Sequence, residues 1–169
     1  MAFTTDVKQA HLNASGFLVT GRTRVKALSY VGTATAGNLS LFDTLTAPVT
    51  TATYGRSGTT VTVTQSAHGL TTGDVIGIDF AAGTGGTATN GNYAVTVLTS
   101  STFTITDINS GTITASPTMV YSTRWLLSYD VSATDIFNNA PLIPEDGVVA
   151  RNGVYAQMSN LLAVNIYYG

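Results

Sequence analysis

TTVTVTQSAHGLTTGDVIGIDF, residues 59–80, sets Val61 and Val63 between Thr60, Thr62 and Thr64, then repeats the alternation with Ile76, Ile78 and Phe80. A period of two puts aliphatic side chains on one face of a strand and hydroxyls on the other. The glycines and Asp74 between the runs are turn residues, because glycine accepts positive φ and aspartate closes an Asx turn. The stretch also raises a chemical question, since His68 stands six positions before Asp74. A zinc site needs three or four ligands, and no second histidine lies in this module. A general base needs a substrate or nucleophile and an orienting group. His68 therefore reads as the exit from a strand, with Leu70 plugging the end of the core. On that reading His68→Asn leaves function intact, and Leu70→Asp unfolds the module.

Downstream, NYAVTVLT (92–99), TFTITDI (102–108) and GTITAS (111–116) extend the pattern to a small five-stranded β-barrel over 54–117. Tyr93, Val95, Val97, Phe103 and Ile105 take its inner face. AAGTGGTATNGN (81–92) is a glycine-rich hairpin loop. Its centre, Gly83, Thr84, Gly85 and Gly86, lacks the lysine and following helix of a phosphate cradle. It reads as flexible and able to touch a partner.

Outside the module, FLVTGRTRVKALSYV (17–31) makes a strand or two with a break near Gly21, and NLSLFDTL (38–45) alternates cleanly. TATAG before it reads as a hairpin connection. Residues 46–58 lose the pattern. MVYSTRWLLSYDV (119–131) reads as one strand holding the single tryptophan, and ATDIFNNAPLIPEDG (133–147) as irregular with a helical turn at Thr134–Phe137. Asn152-Gly153 is a strong hairpin signal between late strands. No stretch carries the 3.6-residue period of an amphipathic helix. The prediction is an all-β chain: a β-sandwich or jelly-roll-like outer domain, 1–53 plus 118–169, with the 54–117 module inserted.

Composition agrees. Only 9% of the residues are charged, against about 25% in ordinary domains, so threonine, serine, asparagine and glycine must supply the polar surface. Strand edges then lack their usual charged guards and are expected to be covered by neighbours. The absence of cysteine excludes disulfides and thiolate chemistry. No apolar run reaches the ~20 residues of a membrane helix, and the N-terminus lacks a secretory pattern. The expected product is soluble, made in a cytoplasm and not secreted by a signal peptide. A net charge of −2 implies no nucleic-acid partner.

Cations are concentrated early. Arg22, Arg24 and Lys26, at i, i+2 and i+4, share one face of a strand. They form either a solvated face or an electrostatic contact with an acidic protein surface. Asp130, Asp135, Glu145 and Asp146 fall in or beside irregular segments, where spacing does not set a glycosidase pair apart from turn residues. Trp125, Tyr155, Tyr167 and Tyr168 bias the C-terminal half toward aromatics, for packing or for an interface. No constellation here implies catalysis, a metal or a cofactor.

Residues 58–115, through the strand ending in His-Gly-Leu, Gly-Asp before an apolar strand, Asn-Gly-x-Tyr-x-Val and Thr-Phe-Thr, resemble a small β-barrel module. That module recurs in tailed-phage structural proteins and is similar to the first catalytic-cysteine half-domain of ubiquitin-activating enzymes. GRTRVKALSYV, NLSLFDT and the closing IPEDGVVARNGVYAQMSNLLAVNIYYG resemble small virion structural proteins of marine tailed phages of the cyanobacterial podovirus type. The resemblance implies a non-enzymatic particle component without cofactor or membrane. Its favoured form is a capsid decoration or knob protein docking on the major capsid protein or other virion proteins, with self-association open. A head–tail or tail accessory protein, or a glycan- or receptor-binding adhesin, is the alternative.

Overall fold

The structure, a computed structural model, describes residues 7–143 and 146–169. It is all-β, with strands β1 (Lys8–Leu12), β2 (Gly16–Thr20), β3 (Thr23–Gly32), β4 (Gly37–Asp43), β5 (Val49–Ser57), β6 (Thr60–Thr64), β7 (Val75–Phe80) and β8 (Gly91–Ala94). There follow β9 (Thr96–Thr99), β10 (Thr102–Thr106), β11 (Thr118–Ser122), β12 (Trp125–Val131), β13 (Asn138–Asn139), β14 (Val148–Ala150), β15 (Gly153–Ser159) and β16 (Leu161–Tyr168). The expected helical turn at 134–137 is absent. The chain divides into two compact units, 1–47 with 126–169, and 48–125.

The first unit is a two-layer antiparallel sandwich. One sheet runs β1-β16-β3-β13, with β14 also on β3; the other runs β12-β4-β15-β2. Val25, Leu28, Val164 and Ile166 from the first layer meet Leu39, Leu41, Val154 and Ala156 from the second in one core. Consecutive strands go to opposite sheets, as β1 and β2, β3 and β4, and β15 and β16 do. TATAG is therefore a corner between layers, not a hairpin. Asn152-Gly153 likewise joins β14 and β15 across the layers. Its turn is held by the buried Asp43 carboxylate, which accepts the amides of Arg151 (2.9 Å), Asn152 (2.7 Å) and Gly153 (3.3 Å).

The second unit is one sheet, β8-β7-β11-β5-β6-β10-β9. Its outermost strands, β8 and β9, are separated by Val95 alone, whose amide donates to the Asp74 carbonyl (2.9 Å) and whose carbonyl accepts from Gly73 (2.9 Å). The sheet thus curls into a nearly closed barrel, which leaves little edge to guard. Val61, Val63, Ile76, Ile78, Phe80, Phe103 and Ile105 fill it, the side chains that the alternation turns inward.

The barrel has seven strands where sequence pattern predicts five. β5 and β11 pair with each other, Thr53 with Thr118 and Val49 with Tyr121, so the units divide at 47/48 and 125/126 rather than at 53/54 and 117/118. Residues 111–116 make only bridges, Ile113 to Arg56 and Thr114 to Thr84. The run 119–131 breaks at Thr123-Arg124 into β11 and β12.

Candidate functional site

Arg24 and Lys26 project outward from β3, because the alternate residues Thr23 and Val25 are buried. Arg22 precedes the strand and is exposed. The backbone of Arg24 exchanges two hydrogen bonds with Gly169, each 3.2 Å, and its Nη1 donates to the Asp146 carbonyl at 3.3 Å. A cleft of about 440 Å³ is lined by Arg24, Lys26, Asp146 and Gly169. A second, of about 240 Å³, is lined by Arg22, Thr23, Arg24, Val149 and Gly169. The two share Arg24 and Gly169 and so lie side by side. None of the three cations has an ion pair among the described residues. Chemically, this is a place for oxyanions.

The glycine-rich loop is not the flexible loop expected. Gly83 and Gly86 exchange backbone hydrogen bonds (2.8 and 3.2 Å), and Thr114 N–H donates to the Thr84 carbonyl (2.9 Å). Gly85, at φ +100°, passes so close to Thr112 that a Cβ would lie 2.1 Å from its carbonyl oxygen. Tyr54 Oη donates to the Ala81 carbonyl (2.6 Å) and accepts from Ala88 N–H (3.4 Å); Tyr93 Oη donates to the Thr89 carbonyl (2.5 Å). Burial pushes both tyrosine hydroxyls above their ordinary pKa. Thr84, Gly85 and Gly86 remain exposed.

His68 is a strut. Its Nδ1 accepts from Leu70 N–H (3.0 Å), so the proton sits on Nε2, which donates to the Thr99 carbonyl (2.9 Å). Its ring meets Phe103 edge-on at 5.3 Å, and Leu70 packs against the barrel core. Asp74 accepts from Thr71 N–H (2.8 Å), closing the turn.

The late acids are not gathered into one site. Asp130 accepts from Asn38 (3.3 Å), Asp135 accepts from Ser132 N–H (3.1 Å), and Asp146 borders the basic cleft. Glu145 lies outside the described residues. Among those residues, no group of three or more His, Cys, Asp or Glu side chains is placed to hold a metal. Tyr155 meets Phe17 edge-on at 5.0 Å, Tyr168 packs on the sandwich core, and Tyr167 is half-buried. Trp125 exchanges backbone hydrogen bonds with the Asn92 side chain (2.9 and 3.2 Å).

Sequence reading misses a buried ion pair in the barrel, that of Arg56 and Asp107. Burial raises the Asp107 carboxyl, but hydrogen bonds from Thr89, Asn109 and Arg56 outweigh it and hold the group below its ordinary range. The partners are 51 residues apart, so no local spacing marks them. No family model, curated protein or solved structure matches the chain.

Proposed function

We propose that the chain is a non-enzymatic structural protein of a tailed-phage particle, a capsid decoration or knob protein that docks on the major capsid protein. One observation carries the non-enzymatic part: among the described residues, four carboxylates and the barrel's histidine are spent on holding backbone. Asp43, Asp74, Asp107 and Asp135 accept main-chain amides, and both nitrogens of His68 are bonded to main chain. A carboxylate whose oxygens are taken up by main-chain amides has fewer lone pairs left to meet a substrate. The particle assignment is supported by the sequence resemblance. It is also supported by exposed apolar side chains on the sandwich unit, Phe137 at 77% and Leu142 at 93%, which suit contact with another protein.

Electron cryo-microscopy of purified particles tests the reading. The chain is expected on the head in roughly tens to hundreds of copies, as icosahedral symmetry requires. Fewer than about a dozen copies at a vertex or on the tail would make it a connector or tail accessory protein instead. Absence from particles, together with glycan-array binding lost on Thr84→Ala, would make it an adhesin.

A further inference from the structure

We infer that Arg22, Arg24 and Lys26 form a docking site for an extended acidic segment of a partner protein, with carboxylates at alternate positions. This deepens the docking reading above and rests on it only for the partner's identity. In a chain with seven cations and a net charge of −2, three cations fall within five residues at the start of β3 and line two neighbouring clefts, and none has an ion pair among the described residues. Alternate carboxylates on an extended partner stand about 6.6 Å apart on one face, so such a segment brings several of them to one short basic stretch. The site is partly preorganised. Arg24 is tied by its backbone to Gly169 and by Nη1 to the Asp146 carbonyl, which leaves the rest of its guanidinium fork free.

The lining argues for peptide over nucleic acid. Arg22, Thr23, Arg24, Lys26, Asp146 and Val149 offer no aromatic ring for base stacking. Clefts of about 440 and 240 Å³ admit side chains and not a duplex.

Fluorescence anisotropy tests the site. The full chain is titrated with a labelled peptide alternating Ser and Glu, with its Ser–Gln counterpart, and with an oligothymidylate. At low ionic strength only the Glu peptide should bind, and it should weaken as salt is raised. Replacing both Arg22→Glu and Lys26→Glu, at exposed positions, should weaken it at least about tenfold while leaving the melting temperature unchanged. If charge reversal unsettles the fold, Arg22→Gln with Lys26→Gln carries the same test. No binding at low salt, equal binding to the variant, or binding of the oligothymidylate in preference to the peptide would each overturn the site. The particle assignment fails separately: a chain absent from particles that still binds the peptide keeps the site and loses the capsid.

Discussion

Asp107 is 2% exposed and receives, besides Arg56, the amides of Thr89 (3.3 Å) and Asn109 (3.2 Å). Removing one partner of such a pair strands the other charge in the interior, so Asp107→Ala should cost the barrel about 3–5 kcal/mol by urea denaturation. The folded carboxyl titrates below its unfolded counterpart. Its contribution is therefore complete above the unfolded value of about 3.9 and is lost as pH falls through the folded one. Wild-type stability should drop on acidification below about pH 4, and Asp107→Asn should flatten that limb; equal acid slopes would assign the loss to other carboxylates. His68 acts more locally. His68→Ala removes two hydrogen bonds and should cost about 1–2 kcal/mol, without changing capture of the acidic peptide. The sequence shows His68 to be a turn residue because its own neighbours explain it. Arg56 and Asp107 carry no such local signal: each is an ordinary charge until the fold brings them together.

The hairpin loop from 81 to 90 shows how an element departs from its pattern. Three glycines and three threonines within it read as freedom, yet the glycines are there for closeness. At Gly85 the backbone is left-handed and a Cβ would strike the Thr112 carbonyl. Gly85→Ala should lower the barrel's melting temperature by several degrees, equivalent to about 1–3 kcal/mol. Gly58→Asn, also at positive φ (+63°) but with open space around it, should be tolerated. Tyr54→Phe should speed amide exchange at Ala88 and across the loop, since it frees both the Ala81 carbonyl and the Ala88 amide; unchanged exchange would show that the glycine bridge alone fixes the loop. Strand identity is legible wherever one face is buried and the other wet, as in β6 and β10. It fails for partners. NLSLFDT alternates, but Ser40 is as buried as Leu39 and Leu41, its hydroxyl donating to Asn38 Oδ1 (3.0 Å) and accepting from the Ser128 hydroxyl (3.1 Å). TATAG carries hairpin chemistry and yet turns a corner between layers. Local residues specify that the chain turns; which sheet receives the next strand is decided by the core.

At the scale of the molecule, each unit has its own hydrophobic core, and cores that do not share residues need not melt together. The barrel's first and last strands, β5 and β11, are antiparallel neighbours, which brings the two ends of the insert side by side. In the sandwich, β4 and β12, which flank the insertion, are also neighbours in one sheet. An insert whose ends meet imposes little loop-closure cost on its host and can fold by itself. Residues 48–125, expressed alone, should therefore give a cooperative transition at the urea midpoint they show within the full chain. The single tryptophan, Trp125, is the last residue of that unit and the first of β12, and its backbone is held by the barrel's Asn92 side chain, so its fluorescence follows release from the barrel while far-ultraviolet circular dichroism reports both units. In the Asp107→Asn chain the tryptophan transition should move to lower urea, and the part of the dichroism transition owed to the sandwich should stay in place. One coincident shift of both signals would mean that the units unfold as a single cooperative body, and that the barrel is a part of the sandwich's fold rather than an insertion into it.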